Sequence, residues 1–192
     1  EYIDLYGEDF GTAIFEQEYE CSFTAAIMGA FYATELRHVR QEERITDECV
    51  AIPGLPVHRA WDIGVRDDTS IWWFQVVAGQ IRVLDCYSTN SAGIDHYRDV
   101  VAEKREEHGW KDGIDWVPHD AKQRQWVLNG GATLMEAMLD YGFRPELVPN
   151  VSKLAGISAA RETLKRAVFH TRCEKLGLAA LEGYRREWDD DK

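Results

Sequence analysis

Long apolar runs are absent: none reaches the roughly eighteen residues that a membrane-spanning helix needs, so no contact with a membrane is expected. No basic, apolar, small-residue leader opens the chain, and no secretory signal is visible. The first residue is Glu1 rather than Met, which suggests a piece of something longer. Cysteine is sparse. Cys21, Cys49, Cys86 and Cys173 are far apart, with no CxxC and no Cys/His zinc spacing, so they read as reduced, mostly buried thiols. Positive charge is also scarce, 22 Lys and Arg against 34 Asp and Glu, for a net charge of −12. That balance opposes non-specific binding to nucleic acid, which rests on neutralising phosphates. There is no GxxxxGK[ST], hence no P-loop in this chain. No GxSxG and no catalytic Cys–His arrangement stands out.

What is present is a core. Apolar residues make up 45% of the 192 residues, seven of them Trp, which fits one domain of ordinary size with an additional arm. Ile52-Pro-Gly-Leu-Pro56 is a clear breaker. It divides an arm at 1–56 from a main domain at 57–192. In the arm, a short edge strand is expected at 16–23 and a helix over 25–44. In the main domain, strands are expected at 57–65, 70–78 and 80–88, the last two joined by the tight Ala78-Gly79-Gln80 turn. A helix over 93–108 stops at Gly109. A short strand at 114–118 ends on Pro118, a helix at 132–141 follows Gly130-Gly131, and another strand is expected at 144–148. Leu154, Ile157, Ala160, Leu164 and Val168 mark one face of a helix, and Leu176, Ala180, Tyr184 and Trp188 mark another. Three antiparallel strands followed by alternating helices and strands predict an α/β fold: a mixed sheet flanked by helices, in the RNase H-like layout.

Asp62 falls inside an otherwise β-forming run, where a carboxylate is costly unless something pairs with it. Asp120 stands just past the end of another expected strand. If the two strands are neighbours, the carboxylates converge and repel. Hard cations such as Mg²⁺ or Mn²⁺ relieve that repulsion. Two such ions, about 3.5–4 Å apart, support hydrolysis of a phosphodiester. The alternative is that each Asp is an ordinary turn or cap residue. Asp67 and Asp68 also suit a plain turn, although Asp68, six residues after Asp62, is within reach of the same site. His119 either orients a water or phosphate or caps the strand end, and His58 reads as structural. Lys122, Arg124, Lys153, Arg161, Lys165 and Arg166 are candidate phosphate contacts or solvated surface charges.

Several segments together resemble a known family. They are the run from Trp61 to Ile71, Gln75, the Pro118-His-Asp-Ala121 turn, Gly156-Ile157 through Arg161, and the closing run from Leu178 to Trp188. The order and spacing of these segments resemble the C-terminal nuclease domain of the large terminase subunit of tailed bacteriophages. Phe15 to Phe23 and Gly29 to Tyr32 resemble the segment joining that nuclease to its ATPase. The resemblance implies an RNase H-like, metal-dependent endonuclease that cuts concatemeric double-stranded viral DNA during genome packaging in the host cytoplasm. It implies partnership with an ATPase domain of the same polypeptide, a portal and a small terminase subunit. Carried over by position, Asp62 and Asp120 are metal ligands and Asp68 is an accessory acid. The family's third acid follows on a helix near the C-terminus. This chain stops at Trp188-Asp-Asp-Asp-Lys192, before such a helix, so either a tail is missing or one of Asp189, Asp190 and Asp191 substitutes. The competing readings are another RNase H-like nuclease, such as a junction resolvase or repair exonuclease, and a non-catalytic docking module of the packaging motor.

Overall fold

Alternation of side chains over Pro56–Asp62 and again over Thr69–Val77 builds the centre of a sheet in the computed structural model. The structure describes residues 30–64, 68–90, 92–122 and 133–185, with Asp120 and Lys122 described in the backbone alone. The expected edge strand at 16–23, Asp67, Arg124, the Gly130-Gly131 pair and Asp189 to Asp191 lie outside the described residues. So does the first part of the helix expected over 25–44. Its described part is α1 (Ala33–Gln41).

β1 (Pro56–Asp62) and β2 (Thr69–Val77) are antiparallel, with His58 opposite Phe74 and Asp62 opposite Ser70. β3 (Gln80–Thr89) returns from β2 through Ala78 and Gly79, at φ 49° and 83°, as a two-residue hairpin requires. Gln75 on β2 is 1% exposed, and its amide holds the Ile52–Leu55 breaker. Its Oε1 accepts from Ile52 N–H at 2.8 Å, and its Nε2 donates to Leu55 O at 3.0 Å. α2 (Ile94–His108) ends at Gly109, whose φ of 64° is the left-handed cap that glycine permits. β4 (Lys111–Val117) then pairs parallel with β1. A 3₁₀ turn over His119–Lys122 follows. α3 (Leu134–Asp140) starts on Thr133 in a reciprocal capping box with Glu136. β5 (Pro145–Leu147) lies parallel beside β4.

α4 (Lys153–Leu164) is shorter than the apolar periodicity predicts. Val168 belongs to a sixth strand, β6 (Ala167–Phe169), parallel to β3. Past the helix the chain is extended by pairing with β3, and Arg44 Nη1 donates to Leu164 O and Ala167 O, at 2.8 and 2.5 Å, across the junction. The final helix also departs from expectation. It breaks into a 3₁₀ turn at Thr171–Cys173, a π turn at Glu174–Leu178 and α5 (Ala179–Gly183). Leu176 and Tyr184, expected on its buried face, are 44% and 41% exposed, whereas Gly177 and Leu178 are buried. The reason is Gly177, where a Cβ would lie 2.3 Å from the Trp72 ring, so the backbone itself packs on the sheet.

The sheet order is β5-β4-β1-β2-β3-β6. All six strands run parallel except β2. α2 and α3 pack on the face carrying Trp61, Ile71 and Trp73. The other face is covered by α1, α4 and the segment through α5, with Leu36, Val39, Ile157, Leu164 and Phe169 in its core. Cys49 and Cys173 are buried, Cys86 is half-buried, and all three are free thiols. No helix among the described residues is long and apolar enough to cross a membrane.

Candidate active site

Because β1 and β4 are parallel neighbours, with Ala60 level with Trp116, their carboxyl ends emerge side by side. Asp62 is the last residue of β1 and is exposed. The expectation of a mid-strand acid is therefore corrected. At the strand tip its carboxylate keeps its hydration and needs no internal partner. Asp120 is the second residue of the 3₁₀ turn that follows β4 and Pro118, so its backbone stands at the same edge. Asp68 immediately precedes β2 and is exposed. Asp62, Ser70 and Ser88 are directly opposite one another across three strands, so their side chains leave one face of the sheet. Asp68, just outside β2, meets that row through Ser88. Its Oδ2 accepts a hydrogen bond from Ser88 Oγ at 3.3 Å.

This edge is also the ligand-bearing side of open α/β sheets, where strand ends and the following turns diverge. Asp62 and Asp68 offer oxygen donors, which match a hard divalent cation and not a soft one. Among the described residues no group of three or more His, Cys, Asp and Glu side chains converges on one point.

The buried mid-strand acid is Asp115 on β4, which sequence reasoning passed over. It is fully buried and accepts from Arg59 Nε at 2.5 Å and Nη2 at 2.9 Å, from Trp61 Nε1 at 2.9 Å and from Arg144 N–H at 2.8 Å. Arg59 also reaches Asp112 Oδ1 at 2.6 Å. Burial alone would raise the Asp112 carboxyl, but Arg59 and Arg105 hold it below its ordinary range. The carboxylate's partner inside this sheet is thus a guanidinium. The available signal was Arg59, a permanent cation in an otherwise β-forming run, which demands an acid opposite it.

The basic candidates are distributed rather than gathered. Lys122 follows Asp120 by two residues in the same 3₁₀ turn. Lys153 begins α4, with Nζ 5.9 Å from the Phe31 ring centre and 5.8 Å from that of Tyr184. Arg161 Nε donates to Phe31 O at 2.8 Å and lies 3.8 Å from Glu35. Lys165 is paired with Glu162 at 2.6 Å. α4 runs back from the carboxyl end of β5 to the amino end of β6. Lys165 therefore sits at the sheet edge opposite Asp62, and the local basic patch around the acids does not include it. Its neighbour Arg166 donates to Gly79 O in the β2–β3 hairpin at 3.2 Å, at that same far edge. His119 is exposed. His58 is structural, its Nδ1 accepting from Ile114 N–H at 3.2 Å.

No family model and no curated protein matches the chain. Solved structures do. The large terminase of a thermophilic bacteriophage superposes with a TM-score of 0.57 at 15% identity, over 77% of this chain and 36% of that one. The P22 large terminase nuclease domain superposes with a TM-score of 0.51 at 19% identity, over 74% of this chain and 78% of that one. The chain thus spans about a third of the length of the whole large terminase that it matches, and it has the fold of the terminase nuclease domain.

Proposed function

We propose that this chain is the nuclease part of a large terminase, a divalent-metal-dependent endonuclease that cuts concatemeric double-stranded viral DNA during genome packaging. The observation that carries the reading is the shared edge. Asp62 at the tip of β1 and Asp68 just ahead of β2 stand at one edge of the sheet, and Asp120 follows the adjacent parallel strand β4, in a fold shared with terminase nuclease domains.

In this reading Asp62 and Asp120 hold the metal and Asp68 assists. The all-oxygen donor set favours Mg²⁺ or Mn²⁺, as a pair of ions. When bound, such ions supply positive charge to the phosphodiester oxygens as negative charge builds on them. The chain's own residues orient the site and screen the DNA. Lys122, Arg124, Lys153 and Arg161 are the basic groups offered to the phosphates, and Lys165, at the far edge of the sheet, stands outside that set. With a net charge of −12, the nuclease depends on other parts of the motor to grip DNA. The thermophilic phage relative has been seen with ADP and with ATP-gamma-S. An ATPase domain of the same polypeptide, joined through the 1–56 arm, supplies that grip, and a portal and a small terminase subunit complete the motor in the host cytoplasm.

The test is nicking of supercoiled plasmid by the 192-residue chain in Mn²⁺. Asp62→Asn is expected to lower the rate on the order of a hundredfold, and chelation is expected to abolish it. Equal nicking by both proteins, or none by either, would favour the docking-module reading instead.

A further inference from the structure

We infer that Ser88 is the positioning residue that aims Asp68 into the acidic edge, an inference that rests on the nuclease reading above. Asp68 stands just ahead of the first ladder pair of β2, Thr69 with Thr89. It lies beyond the rungs that hold the strand in place, and it is exposed. An exposed carboxylate at such a position samples several rotamers, and binding a cation would cost it that freedom.

Ser88 lowers that cost in advance. It lies within β3, half-buried, opposite Ser70, which in turn lies opposite Asp62. Its Oγ therefore stands on a rigid cross-strand row and on the face used by Asp62. From there it reaches Asp68 Oδ2 diagonally at 3.3 Å. A hydroxyl has a single hydrogen to donate. Spent on Oδ2, it biases the carboxylate toward one orientation and leaves Oδ1 for an incoming cation. Ser88 itself need not touch the metal. Its role is to give Asp68 one favoured orientation as a ligand.

The experiment reads metal uptake without DNA. Mn²⁺ is titrated into the chain and the free-ion electron paramagnetic resonance signal is followed for wild type, Ser88→Ala, Ser88→Thr, Asp68→Asn, Asp62→Asn and the Ser88→Ala/Asp68→Asn pair. Ser88→Ala is expected to raise the Mn²⁺ dissociation constant about threefold to tenfold. Ser88→Thr, which keeps the hydroxyl, is expected to restore it. The double variant is expected to bind no more weakly than Asp68→Asn alone, because Ser88 acts through Asp68. Wild-type binding that is lost in Asp62→Asn but unchanged in Ser88→Ala would overturn the Ser88 role and leave the nuclease reading intact. Losses that multiply in the double variant would do the same. A wild-type chain that takes up no Mn²⁺ would overturn both. Thermal unfolding of each variant accompanies the titration, and rescue by Thr separates positioning from a loss of fold.

Discussion

Single side chains set the stability of this sheet more than their number suggests. Replacing Asp115 by Ala takes from the Arg59 guanidinium, whose side chain is 4% exposed, its buried acid and leaves it Asp112. It also removes the acceptor for Trp61 Nε1 and Arg144 N–H. Breaking a buried pair from one side costs about 3–5 kcal/mol, and urea unfolding should show a loss of that size. The histidines predict a pH dependence. His58, His108 and His170 are held below the ordinary imidazole range by burial first, reinforced by Arg59 for His58 and by Arg172 for the other two. Their ring nitrogens are used as acceptors. His58 Nδ1 takes Ile114 N–H, and His108 Nε2 lies 3.0 Å from Arg172 Nη1. The unfolded chain gains protons on these rings from about pH 6.5 downward, before the folded chain does. Their contribution is therefore complete above that pH and lost as the pH falls through the depressed folded values. Melting temperatures at pH 7.5 and 5.5 should differ in that direction, and His58→Gln should shrink the difference. A melting temperature that is flat across this window would contradict the assignment.

Two glycines make opposite predictions at the level of elements. A Cβ at Gly113 on β4 would lie 2.7 Å from Val57 O in the backbone of β1. Gly113→Ala must push these strands apart, at a cost of about 1–3 kcal/mol. Gly156 in α4 has open space around its Cβ position, so Gly156→Ala should stabilise by about 0.5–1 kcal/mol. Chemical denaturation of the two variants side by side tests both. The same elements show what a sequence can carry. The three-strand meander, α2 with its Gly109 stop and the strand before Pro118 were legible because alternation, a two-residue turn and a terminal glycine are local signals. β6 was not legible. Its three residues continue the apolar spacing of α4, and only partners far away in sequence, β3 alongside and Arg44 at the junction, make them a strand. The broken final helix was hidden for a related reason, since the demand on Gly177 comes from Trp72 across the core. At the site, Asp120 was readable as an acid just past a strand end, whereas Asp62 read as a mid-strand acid and stands at the strand tip. The Asp62–Ser70–Ser88 row was not readable, because it exists only once three strands are in register.

For the whole molecule the governing fact is the excess of acid over base. With a net charge of −12 and Lys165 at the edge away from the acids, the chain alone should bind linear duplex weakly in the absence of metal. A dissociation constant near or above about 10⁻⁴ M at physiological salt is expected, at the weak end of non-specific binding. Fluorescence anisotropy with a labelled duplex checks this, and tight binding would require a basic surface that the described residues do not supply. A different property of the whole follows from Asp115. Its acceptors are filled from β1 on one side and from the residue ahead of β5 on the other, so it behaves as a dowel through three planks. Sliding β4 by one residue, about 3.3 Å, would turn the carboxylate to the wrong face and shear the peg. The tips of β1 and β4 are therefore kept abreast by a fastening set deep behind them, and substitutions among the tip residues can alter chemistry without disturbing alignment.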